Sequence, residues 1–93
     1  MVRLEVADIL GKTITGVVFK AAPKITTRPQ AQLFLLFSDG TYYEFYATSS
    51  PGISTTGGVD QGGLERVREY RGDMRIEFEA VPGPDGKVIV NPP

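Results

Sequence analysis

The clearest pattern along the chain is a pair of β-rich runs flanking a turn signal. Leu33-Phe-Leu-Leu-Phe37 is continuously apolar, Thr41-Tyr-Tyr-Glu-Phe-Tyr46 is aromatic-rich, and Ser38-Asp39-Gly40 lies between them. An Asp-Gly pair in this setting predicts a hairpin, with a type I′ turn because both residues tolerate positive φ. The unbroken run predicts a central strand buried on both faces. In its partner, Tyr43 and Phe45 fall on one face, and Tyr42, Glu44 and Tyr46 fall on the other, predicted half-buried, face.

Further strands flank this hairpin. Residues 13–21 are nearly all β-branched or aromatic, which suits a pleated surface, and Pro23 stops the run. A polar, basic connection follows over 23–29. Near the other end Met74, Ile76, Phe78 and Ala80 alternate with Arg75, Glu77 and Glu79, predicting a strand with one solvated face. Pro82-Gly-Pro-Asp-Gly86 makes a turn, and Lys87–Val90 returns as a last hairpin strand. Leu64 and Val67, three apart among charged neighbours, predict a short helix at about 62–71, with Asp60 as N-cap and Gly72 as its stop. Residues 2–10 fit both a helical turn ended by Gly11 and a strand in which Val2, Leu4 and Val6 alternate.

These elements predict an α+β fold. It would be a curved, mainly antiparallel sheet of about four to six strands, a roll or half-open barrel, with one short helix. A chain of 93 residues without an internal repeat or linker reads as a single domain, 1–93.

Composition removes several chemistries. Cysteine and histidine are both absent, so thiolate chemistry, an imidazole base and the usual zinc sites are excluded. No cofactor and no metal are expected. The lack of cysteine, and an N-terminus carrying Glu5 and Asp8 within its apolar stretch, point to a cytoplasmic protein. No apolar run approaches the roughly 20 residues that span a bilayer. A net charge of −1 speaks against a nucleic-acid partner. Charge is unevenly spread, with five basic against two acidic residues in 1–38 and five against nine in 39–93, or +3 and −4. Strands from both halves interleaving in one sheet would average this out.

Candidate chemistry concentrates in residues 49–63, which hold five glycines, one proline and no periodic pattern. Loops this long in compact domains are usually functional or disordered. Gly52 and Gly57 have phosphate-loop spacing, but Gly58-Val59 stands where lysine and a hydroxyl residue belong. Gly11-Lys12-Thr13 lacks the upstream glycine and the following helix of such a loop. What remains is a weak ligand-binding set: Ser54, Thr55, Thr56, Gly57, Gly58, Gly62 and Gly63, with backbone N–H groups at the helix start facing an anion. Phe34, Tyr42, Tyr43 and Tyr46 read as core packing rather than base-stacking platforms. Glu77 and Glu79 read as solvated charges beside Arg75, and Arg68 and Arg71 as partners of Glu65 and Glu69 on a solvated helix face that also carries Arg66.

No catalytic residue is evident, because nothing in the sequence resembles an activated nucleophile or an oriented base. The expected function is a small non-catalytic binding or interaction domain, using the 49–63 loop and an adjacent sheet edge. Its partner would be a protein or a small ligand, or a second copy joined through a sheet edge. The alternative is a small carboxylate-dependent enzyme with an anion-binding loop at the helix N-terminus. It requires one of Asp39, Glu44, Asp60, Glu77 or Glu79 to sit desolvated beside the loop.

Overall fold

The structure, a computed structural model, describes residues 7–24, 30–47, 54–55, 59–70 and 74–92. Residues 7–11 form a helical turn in which the Leu10 and Lys12 N–H groups donate to the Ala7 and Ile9 carbonyls. Strands β1 (Ile14–Ala21), β2 (Ala31–Phe37) and β3 (Thr41–Ala47) follow. Then come two-residue strands β4 (Ser54–Thr55) and β5 (Asp60–Gln61), helix α1 (Gly63–Glu69), β6 (Arg75–Pro82) and β7 (Val88–Asn91).

All pairings are antiparallel, and the order is β4-β3-β2-β1-β6-β7, with β5 sharing β4's side of β3. The result is a six-stranded open sheet with one short helix. The sheet is not closed or strongly curled as a roll or half-open barrel would be: among the described residues, β4 and β5 at one edge and β7 at the other do not pair. The helix covers only one face of the sheet. Val18, Phe34, Leu36, Tyr42 and Val81 meet Val67 of α1 there, with Leu64 packed alongside.

Several expectations change with this arrangement. The β2–β3 connection is a three-residue loop in which the Gly40 N–H donates to the Phe37 carbonyl at 3.2 Å and Gly40 has φ +85°. That is a tight turn closed by a left-handed glycine, not a two-residue type I′ turn. Asp39 secures it by accepting from the Thr41 N–H at 3.1 Å. Strand β2 is fully buried on one face only: Phe34 and Leu36 are enclosed, whereas Leu33 and Leu35 on the other face are half-buried. In β3, by contrast, Tyr42 and Glu44 are buried, because their face lies under the helix. Residues 54–55 and 60–61 belong to the sheet, so 49–63 is not an unstructured loop throughout. The helix is shorter than 62–71, and its N-cap is Gly62 rather than Asp60, which sits in β5.

Strand β6 shows the largest departure. Phe78 pairs with Phe19, but Ile76 pairs with Lys20, so Glu77 is an extra residue. A β-bulge of this kind reverses side-chain parity on the two sides of the insertion. Met74, Ile76, Phe78 and Ala80 therefore do not share one face: Met74 is buried, while Ile76 and Phe78 are exposed. Glu79, expected in solvent with Glu77, turns under the helix and is buried.

Candidate functional site

The structure describes the backbone of four residues of the expected ligand set, Ser54, Thr55, Gly62 and Gly63. Ser54 and Thr55 lie in β4, opposite Tyr46 and Phe45 of β3. Thr56, Gly57 and Gly58 lie outside the described residues. Gly62 and Gly63 sit at the start of α1 with φ +128° and +60°. A Cβ on Gly62 would lie 2.6 Å from Arg66 Cβ, so glycine there is demanded by the chain path. The Gly62 N–H is spent on the Gly40 carbonyl at 3.3 Å. Glycine at these positions is accounted for by the turn into the helix.

Three of the five candidate carboxylates are committed to hydrogen bonds. Asp39 pairs with Lys12 and accepts from Thr41, and these hydrogen bonds hold its pKa down to about 2. Glu79 receives two parallel 2.8 Å hydrogen bonds, from Arg68 Nε and Nη2, which also lower its pKa despite burial. The expected Arg68 pairing with Glu65 and Glu69 is replaced by this clamp from helix to sheet. Glu44 accepts from Gln32 Nε2 at 2.5 Å, whereas Asp60 and Glu77 are exposed. Among the described residues, no group of three metal-ligating side chains converges.

Both downward shifts make the same prediction about acid. A carboxylate with a lowered native pKa contributes stability above its unfolded value, and that contribution is lost as pH falls through the native value. Stability should therefore decline from about the ordinary glutamate value of 4.5 towards 2. Melting temperatures measured across this window should fall, and Arg68→Ala should fall less steeply than the parent. Parallel curves for parent and variant would show that the clamp does not govern acid stability.

Beneath α1 lies an unusual set of polar side chains. Lys20 is 0% exposed, and its ammonium donates to the Arg68 carbonyl at 3.2 Å and to the Tyr70 carbonyl. These are C-terminal carbonyls that the helix itself leaves unpaired, at the negative end of its dipole. The ammonium also lies 5.6 Å from the Phe34 ring centre. Lys20, Gln32, Glu44 and Glu79 thus all occupy the helix-covered face.

The opposite face is apolar as well. Strand parity puts Val17, Phe19, Leu33, Leu35, Phe45, Phe78, Ala80, Val88 and Val90 there. One corner is closed, where Lys12 lies 5.5 Å over the Phe37 ring and Phe37 and Tyr43 are buried. Elsewhere Phe19, Phe78, Val88 and Val90 are exposed. Among the described residues, no helix covers this area.

A depression of about 220 Å³ sits on that face, lined by Phe19, Ala31, Leu33, Phe45 and Ala47 with Gln32 and Tyr46. Its cause is local: Ala31 and Ala47 are cross-strand partners, and two small side chains facing each other leave a notch between the larger rings. The volume is below the roughly 300–1,000 Å³ typical of small-molecule sites. The lining aromatic and aliphatic residues were visible in the sequence, but only as core candidates. Set against family models, curated proteins and solved structures, the chain finds no match in any of the three comparisons.

Proposed function

We propose that this protein is a non-catalytic interaction module that binds the apolar surface of another polypeptide on its open sheet face. The observation carrying this reading is an apolar sheet face that no described helix covers. Charged and amide side chains are enclosed under the helix, while the face presented outwards is aliphatic and aromatic. Large exposed apolar patches on folded proteins mark interaction surfaces.

Dimensions support a protein rather than a metabolite. Six strand positions, with strands of two to eight residues, give a face on the order of 600 Å². A standard interface uses about 800 Å² on each partner. The notch between Phe19, Leu33 and Phe45 would take one anchoring apolar side chain of the partner, since such anchors dominate binding energy. The neighbouring β3–β4 edge forms the rim on that side.

A photoreactive phenylalanine analogue at position 19, introduced into the protein in its own cell, tests this. A discrete polypeptide adduct should form there, should not form from position 65 on the exposed helix side, and should weaken strongly with Phe78→Ser. Absence of any adduct beyond that at position 65, or one indifferent to Phe78→Ser, would overturn the reading.

A further inference from the structure

We infer that the free edge of the sheet is a self-pairing site: β7 joins β7 of a second copy, antiparallel, with the two-fold axis at Ile89. This interface lies on the edge rather than the open face, and does not depend on what binds that face.

The backbone register fixes which groups are available. The Gly83 N–H donates to the Lys87 carbonyl at 2.8 Å, so residues 83 and 87 are a hydrogen-bonded pair. Pairing continues as Pro82↔Val88, Val81↔Ile89, Ala80↔Val90 and Glu79↔Asn91. Hydrogen-bonded and non-hydrogen-bonded pairs alternate in an antiparallel ladder. Ile89 and Asn91 therefore spend their N–H and C=O groups on β6, and Lys87 its C=O, while the Lys87 N–H donates to Asp85 Oδ1 at 3.0 Å. Those of Val88 and Val90 point away from it. Among the described residues no strand meets that outer edge, and Val88, Ile89 and Val90 are 60%, 52% and 44% exposed.

The sequence of this edge is its own complement. Val88-Ile89-Val90 reads the same in both directions about Ile89. With the axis there, Val88 faces Val90 of the second copy twice over, and each pairing is of the hydrogen-bonded type. Four main-chain hydrogen bonds result. Ile89 meets its own counterpart in a non-hydrogen-bonded pair, where side chains approach most closely. Lys87 faces Asn91, so no like charges oppose each other. Pro92, which lacks an N–H, ends the pairing. An isologous contact of this kind closes on itself as a dimer.

Because the chain contains no cysteine, Ile89→Cys introduces a single reporter thiol. Opposed Cα atoms about 4.5 Å apart in a non-hydrogen-bonded pair are within disulfide reach, so Ile89→Cys should cross-link about tenfold faster than Val88→Cys. Sedimentation equilibrium of the parent protein should show a dimer. Val90→Pro removes an N–H that β6 does not use, so it should give a monomer that still melts close to the parent. A parent that stays monomeric into the millimolar range, equal cross-linking rates, or a dimer that persists in Val90→Pro would each overturn the inference. The last would move the contact elsewhere on the molecule.

Discussion

Truncating Phe34 to alanine is expected to destabilise the protein by about 3–5 kcal/mol. Phe34 is fully enclosed on the helix-covered face, packed edge-on against Tyr42 at 5.9 Å and Tyr70 at 6.0 Å between ring centres. It also lies under the Lys20 ammonium, so its loss opens a cavity where strand, helix end and buried charge meet. Domains of this size hold roughly 5–15 kcal/mol in all. The melting temperature should drop by roughly 15–30 °C. Leu35→Ala, one residue along but on the open face, should cost far less. Equal losses at 34 and 35 would mean that the two faces are covered alike, contrary to the structure.

Replacing Lys20 by alanine should cost about 2–4 kcal/mol, unusually much for a lysine, because two buried carbonyl acceptors lose a charged donor. A seven-residue helix has no independent stability in water. Its attachment rests on Val67 and Leu64, the Arg68–Glu79 clamp and this ammonium. Hydrogen exchange should therefore show the α1 amides losing protection first, while β1–β3 keep theirs. Lys20→Met separates the charge from the stem: it retains the packing but strands the carbonyls, and should be destabilised nearly as far. A methionine variant melting at or above the parent would show that desolvating the ammonium outweighs its hydrogen bonds, as it can for buried charges.

The strand positions, the β2–β3 hairpin and the helix were legible in the sequence because each leaves a local mark. β-branched runs, an Asp-Gly turn and the Leu64/Val67 spacing are all read within ten residues. Which face each strand buries was much less legible. Val17, Val18 and Phe19 are all apolar, so β1 carries no parity of its own, and its covered face is decided by a helix more than forty residues later. Lysine is exposed by default, and nothing near Lys20 announces that a helix terminus will land on it. In β6 the alternation was clean and still misleading, since an inserted residue changes parity without changing composition. The weak ligand set drew on glycine content, and at Gly62 the backbone conformation by itself already requires the residue. The notch depended on Ala31 facing Ala47, which only the strand register reveals.

The bulge at Glu77 also fixes how this protein can tolerate changes in length. Deleting one residue there would let β6 pair without interruption, and everything before the deletion would turn over relative to everything after it. Glu79 and Val81 could stay in place only by sending the buried Met74 to the opposite side. Keeping Met74 inside would instead expel Glu79 from Arg68. Substitutions at Glu77 should be nearly silent, because its side chain is exposed. Its loss should not be: at this position the chain is counted, residue by residue, rather than read for its chemistry.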